Sequence, residues 1–187
     1  MNKALDELKI QAKILLKSAR NNQSSAIQRL AKHSGNKPRS HSLDLAYTDL
    51  AKLKHCQHVI AREVGFENWQ HAYAILSAND NTLSNTASDS VAVNMGKFWH
   101  SHSCDALINL WFSSYQKALI ALQTKPSNYL IPYQQQFIVV TEDYLKLIDL
   151  HDVETSLWRD VKHDLVASYA TEAWDEIAHT RLRNRTG

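Results

Sequence analysis

Gln57–Leu76, QHVIAREVGFENWQHAYAIL, reads as one helix stopped at Gly65 and a second begun just past Phe66. A residue without Cβ adopts the left-handed conformation after a helix end cheaply, so Gly65 predicts a sharp stop. Ala61, Val64, Phe66, Trp69, Tyr73 and Leu76 fall on faces that can meet, which predicts a packed helix–turn–helix corner. The second helix is expected from about Asn68 to Ala78, burying Trp69, Tyr73 and Leu76. Upstream, Leu5, Leu8, Ala12, Leu15 and Ala19 recur at helical spacing and predict an amphipathic helix ending near Arg20. A shorter helix follows, with Ser24 or Ser25 as its N-cap and Ile27, Leu30 and Ala31 on the buried side. SGNKPRSHS at 34–42 reads as a loop rich in helix breakers.

The stretch 79–94, NDNTLSNTASDSVAVN, is polar and lacks apolar periodicity, so it reads as a linker. The chain is accordingly divided into a helical module (1–78), that linker, and an α+β module (95–187). In the latter, Leu107, Leu110, Trp111, Tyr115, Ala118, Leu119 and Leu122 predict one helical face, ended by Lys125-Pro126-Ser127. YLIPY (129–133) and QFIVVT (136–141) are rich in β-branched and aromatic residues and predict a two-stranded antiparallel hairpin. Pro132 cannot donate to a ladder, so it belongs on an edge strand, facing outward, or at a bulge. Thr141 with Glu142 and Asp143 predicts a capped helix start. Thr171, Glu172, Trp174, Ile177, Ala178 and Leu182 predict a last helix, with Arg181, Arg183 and Arg185 set at its C-terminal end to complement the dipole. The fold class expected is therefore mainly α.

Composition narrows the functions. With 44% apolar and 21% charged residues the chain is of ordinary globular make-up. No apolar run approaches the ~18 residues that cross a bilayer, so no membrane partner is expected. The first 20 residues carry Asp6 and Glu7 within an interrupted apolar pattern, which reads against a secretion signal. Cys56 and Cys104 form no CxxC pair, so a reduced, cytoplasmic protein is expected. Residues 1–78 hold twelve basic and six acidic residues, net +6, whereas 79–187 hold nine and thirteen, net −4. That asymmetry fits a nucleic-acid face on the front half, two halves that dock, or solvated helices without a partner.

LKHCQHVIAREVGFENWQHAYAIL, with the opening LDELKIQAKILLKSAR, resembles a small helical module that often precedes ankyrin repeats in bacterial proteins. A related pattern occurs in glyoxalase-related proteins. The likeness covers about the first 78 residues and rests on Leu8, Ala12, Leu15, Leu16, Ala61, Gly65, Phe66 and Trp69, which are structural positions. It implies a fold and transfers no catalytic residue; no ankyrin array follows here. The back half, with YLIPYQQQF, resembles uncharacterised bacterial proteins that share a YLxPYxxQF hairpin.

Four constellations bear on chemistry. Ala61–Gly65 has helix-turn-helix spacing, which would make Asn68, Gln70 and His71 base readers beside Lys52, Lys54 and Arg62. The helix from Glu67 holds no Lys or Arg to neutralise phosphate, which favours a purely structural corner. His100, His102 and Cys104 in HSHSC are zinc-type donors, but a site needs three or four that converge, and HSHSC reads as a helix entry. Neither cysteine has an evident activating base; Gly-x-Ser-x-Gly, GxGxxG and the P-loop are absent, so no cofactor is expected. Asp149, Asp152 and Glu154 read as a solvated turn. Aromatics crowd the back half, and adjacent pairs such as Phe98-Trp99 and Trp111-Phe112 cannot both point inward from one helix face. Exposed members would suit a protein partner or a second copy.

The reading is a non-enzymatic interaction or self-association module, with Trp99, Trp111, Phe112 and Tyr133 as contact residues. A nucleic-acid binder using the basic front half is the alternative. An enzyme with glyoxalase-like chemistry ranks last, for want of metal-binding acids and histidines on strands.

Overall fold

The computed structural model describes residues 2–33, 52–78 and 93–185. Among these residues lie eight α-helices and one three-stranded antiparallel sheet, a mainly α architecture with a small α+β part. In chain order they are α1 (Lys3–Arg20), α2 (Ser24–His33), α3 (Leu53–Glu63), α4 (Trp69–Leu76), β1 (Leu110–Phe112), α5 (Tyr115–Thr124), β2 (Tyr129–Tyr133), β3 (Gln136–Val140), α6 (Glu142–Leu147), α7 (Thr155–Asp160) and α8 (Glu172–Asn184). A 3₁₀ turn spans His102–Ala106. The loop expected at 34–42 and most of the linker expected at 79–94 lie outside the described residues.

The corner forms as its sequence dictates. α3 ends in a Schellman arrangement: the Gly65 N–H donates to the Arg62 carbonyl (3.1 Å) and the Phe66 N–H to the Ala61 carbonyl (2.9 Å). Gly65 takes φ +105°, which side-chain-bearing residues rarely adopt. Asn68 then caps α4, its Oδ1 accepting the His71 N–H at 2.8 Å. Because α4 starts at Trp69, its buried residues are Ala72, Ile75 and Leu76. Tyr73, expected in the core, is exposed, and Trp69 is half-buried.

Gly65 also explains how the chain returns. The Lys97 N–H donates to the Gly65 carbonyl (2.7 Å), and a Cβ on Gly65 would lie 2.6 Å from both the carbonyl carbon and oxygen of Lys97. A Cβ on Gly96 would in turn lie 2.6 Å from the Gly65 oxygen. Two glycines thus let two backbones touch. The Gln134 N–H at the hairpin turn donates to the Gly96 carbonyl (2.7 Å), which joins the sheet to the same point.

From this crossing an aromatic series runs through the core. Phe66 stacks on Phe98 (4.8 Å between centroids), Phe98 meets Trp99 edge-on (4.6 Å), Trp99 meets Trp174 (5.5 Å), and Trp174 meets Tyr169 (5.1 Å). Each such pair contributes about 0.5–1.5 kcal/mol beyond area burial. Phe98 and Trp99 are both fully buried, which corrects the expectation that one of them reaches the surface. They sit in a turn, not on a helix, so consecutive side chains are free to enter the core side by side.

α1 binds the ends of the chain together. Ala4, Leu5, Leu8, Gln11, Ala12, Leu15 and Ala19 form its buried stripe. Asn2 offers its N-terminus no side-chain bond; instead the Asp175 carboxylate of α8 accepts the N–H groups of Lys3 (2.8 Å) and Ala4 (3.1 Å). An acid from the far end of the sequence thereby satisfies free donors and complements the helix dipole. Lys3 also pairs with Glu176, and the Gln11 side chain donates to the Leu182 carbonyl (2.9 Å). One hydrophobic cluster holds residues of both halves, so the composition break divides the chain and not the core.

The sheet has strand order β1-β3-β2. Alternation sends Ile131, Ile138 and Val140 into the main core, and Leu130, Phe137 and Val139 under α5 with Ala118 and Leu122. β3 is therefore covered on both faces, which is why its buried residues, Phe137 to Val140, are unbroken apolar sequence. The hairpin has the expected bounds. β2 is an edge strand, and at Leu130 its outer side is bridged to 163–165: the Leu130 N–H donates to the His163 carbonyl (2.8 Å) and its carbonyl accepts the Leu165 N–H (2.9 Å). Pro132, two residues on, has its missing N–H on that outer side, although the residue is buried. The helix expected to begin at Leu107 starts only at Tyr115, and Leu110–Phe112 pair with β3 instead. Thr171 caps α8 through its hydroxyl, whereas Thr141 stands at the start of α6 without a side-chain bond. Ser24 lies inside α2, whose first turn closes on the Gln23 carbonyl.

The Gly65→Ala variant is expected to lose more than about 2 kcal/mol in urea denaturation, since a left-handed backbone and a backbone overlap act together. An unchanged midpoint would show that the crossing is not close-packed.

Candidate functional site

The turn that buries Phe98 and Trp99 leads into His100, whose ring packs against Tyr133 and Tyr144. Beyond it the 3₁₀ turn folds Asp105 back between two histidines: Oδ1 meets His100 Nε2 at 3.0 Å and Oδ2 meets His102 Nδ1 at 2.6 Å. These bonds, with His102 first and His100 second, hold the Asp105 carboxyl below the usual carboxylate range. On its other side His100 Nδ1 lies 2.8 Å from the Tyr144 hydroxyl, which also reaches the Trp99 carbonyl at 3.1 Å. Proton inventory links these contacts. A neutral His100 donates Nε2–H to Asp105 and accepts the Tyr144 proton at Nδ1; a protonated one donates from both nitrogens and turns the Tyr144 proton to Trp99. Burial holds the Tyr144 phenol protonated throughout the ordinary pH range.

Around His100 stand two of the expected contact residues. Tyr133 is 4.9 Å from it and Trp111 6.3 Å, and Trp111 meets Tyr133 edge-on at 5.1 Å. Strand alternation separates Trp111 from Phe112: the first turns toward His100 and Tyr133, the second packs beneath α5. Trp111 is 46% exposed, Leu110 49% and Ile108 99%. Among the described residues β1 has β3 on one side only, and its outer edge ends the sheet. Nothing from Leu107 to Tyr115 is charged or proline, the residues by which edge strands are usually blunted. Of the four expected contact residues, then, Trp111 and Tyr133 meet at the surface, Phe112 lies half-buried nearby, and Trp99 is core.

The expected nucleic-acid residues are placed differently. Lys52 and Lys54 are exposed at the start of α3, and Gln70 is exposed on α4. Arg62 donates to the Glu67 carbonyl (3.2 Å). Asn68 serves as the α4 cap, and the His71 ring is engaged at both nitrogens, by the Glu67 N–H (3.2 Å) and the Asn94 carbonyl (2.6 Å). Asn68 and His71 thus fasten the corner to the chain entering the back half.

Among the described residues no three His, Cys, Asp or Glu side chains converge to hold a metal ion; Asp105 is spent bridging the two histidines of HSHSC. Cys56 and Cys104 are buried free thiols, and desolvation pushes both upward in pKa, away from the thiolate a nucleophile needs. Asp164 is buried but satisfied, accepting from the Tyr115 hydroxyl (2.7 Å) and from the N–H groups of Val166 and Ala167.

Arg181 departs most from its expected place. It is fully buried, and none of its guanidinium nitrogens meets a hydrogen-bond acceptor among the described residues. Its Cζ lies 5.0 Å over the Phe98 ring. Such a contact supplies roughly 0.5–2 kcal/mol, against several kcal/mol for burying an unpaired ion. Desolvation, helped by Arg185, pushes the group down to about 10 while Asp149 opposes the shift, so it stays charged at neutral pH. The periodicity did contain this residue: Trp174, Ile177, Ala178 and Arg181 lie on one stripe of α8. The Trp99 indole N–H is likewise buried without an acceptor among the described residues.

The chain matches no protein-family model, no curated protein and no solved structure.

Followed by carbon-13 NMR, the Asp105 carboxyl is expected to titrate below the ordinary range and to move back toward it in His102→Ala. A lowered folded pKa contributes stability that is complete above the unfolded value and lost as pH falls through the folded one. An ordinary titration in the wild type would remove the Asp105 bridge.

Proposed function

We propose that this protein is a non-enzymatic interaction module that associates with a second copy of itself along the outer edge of β1. The observation that carries the reading is the uncharged edge itself, with Trp111 exposed beside Tyr133 on one face of the sheet and Ile108 and Leu110 also exposed along the strand. An antiparallel edge is self-complementary: a twofold axis through it pairs two β1 strands into a continuous six-stranded sheet. With no charge from Leu107 to Tyr115, two copies meet without like-charge repulsion, and each covers the other's apolar side chains. The buried, unpaired thiols accord with a reducing compartment such as the cytoplasm. Among the described residues no helix is long and apolar enough to cross a membrane. The likeness of the front half to the module that precedes ankyrin repeats brings no catalytic residue to this reading.

Light scattering is expected to give twice the chain mass of 21.3 kDa. Leu110→Lys, which places like charges face to face across the twofold axis, is expected to weaken the dimer at least tenfold. Ile120→Lys, an exposed position on α5, is expected to leave it intact. A wild-type monomer at every concentration would overturn self-association. A monomer that bound DNA with steep salt dependence would transfer the case to Lys52, Lys54 and Arg62.

A further inference from the structure

Opposite its buried stripe, α1 shows a second face to solvent, formed by Asp6, Ile10, Lys13, Ile14, Lys17 and Arg20. Ile10 is 49% exposed and Ile14 58%, and residues four apart on a helix are neighbours, so the two make one apolar knob. The acid of this face, Asp6, pairs with Lys9 (2.9 Å), which leaves the surroundings of the knob basic. A groove between α7 and α8 has the complementary character. It has two lobes, of about 470 and 380 Å³, that share Leu157 and Glu176, with Ala173 lining the first and Val153 the second. Asp160 and Glu172 stand at the first lobe and Asp152 and Glu154 at the second, against one base, Arg183. The lengths agree too. Ile10 to Arg20 spans about 15 Å of helix and Glu172 to Arg183 about 17 Å, at 1.5 Å per residue.

We propose that the exposed face of α1 docks in the α7–α8 groove of a second copy of this chain. The knob of Ile10 and Ile14 covers the apolar side chains along the groove, and the basic residues around it meet the acids of the rim. A chain cannot make this contact with itself, because the buried stripe of α1 already packs on its own α8, through Gln11 and the Leu182 carbonyl among others. The opposite net charges of residues 1–78 and 79–187 accord with unlike surfaces meeting between copies. Since the two surfaces differ, each copy offers one of each. The charges lie in solvent, so salt weakens the contact strongly. β1 takes no part, and the outcome here is independent of pairing along its edge.

The test is sedimentation equilibrium of the full chain carrying Leu110→Lys, which removes the β1 edge from the measurement. At about 20 mM salt this chain is expected to self-associate as concentration rises, with an association constant about tenfold lower or more at about 0.3 M. Lys13→Glu with Lys17→Glu reverses one surface, and Glu154→Lys with Asp160→Lys reverses the other; all four positions are exposed. Each reversed chain alone is expected to lose about tenfold or more in association, and an equal mixture of the two to regain it. Should a reversed chain fail to fold, Ile14→Gln decides, with an expected loss of about threefold or more at low salt. A monomer at low salt overturns the contact. So does association that neither reversal weakens, or a mixture no stronger than its parts. Chains that stay monomeric but bind phosphatidylserine vesicles through Lys13 and Lys17 overturn the second copy as the occupant.

Discussion

The contact between the Gly65 and Gly96–Lys97 backbones is the constraint to which the rest of the structure is fitted. A carbonyl, an amide and two missing side chains let the end of α3 touch the start of the back half. Everything nearby follows from that approach. Phe66 reaches Phe98, Asn94 reaches both His71 and Glu67, and the hairpin turn reaches Gly96. A side chain at either glycine would push these elements apart at the point where the core passes from helices to sheet.

Polar groups at the two chain ends complement this apolar junction. Asp175 caps a helix that begins more than 170 residues earlier, and Gln11 bonds the Leu182 carbonyl within the buried interface. Such contacts are long-range in sequence, so their closure costs chain entropy that only the shared core can offset. The same core also holds what it does not satisfy. Arg181 and Trp99 sit beside the junction with donors that find no acceptor among the described residues, whereas Asp164, buried to a similar degree, is fully bonded. The contrast singles out the Arg181 region from ordinary buried polarity.

The front half was legible because its signals are local. Leu5 to Ala19 repeat at helical spacing, and Gly65 marks a stop that depends on neighbours three to five residues away. The hairpin was legible for a similar reason. β1 was not: Leu107, Leu110, Trp111 and Tyr115 keep helical spacing, and a three-residue strand exists only because β3 lies beside it. α7 is six residues long with one buried side chain, too little to show a period. At the candidate site the aromatics Trp111 and Tyr133 were legible as surface candidates. His100 and Asp105 were hidden because HSHSC reads as metal donors, and Tyr144 because its partner is 44 residues away. Arg181 lay on the correct stripe of its helix but carries a charge that sequence reading assigns to solvent.

Native-state hydrogen exchange tests most directly whether one cooperative core joins the two halves. The Lys97 amide, bonded to Gly65, should exchange with the same free energy as buried amides of α1 and β3, reaching the global value. If front-half and back-half amides fall into two classes, with Lys97 among the weakly protected, the glycine crossing does not unite the fold.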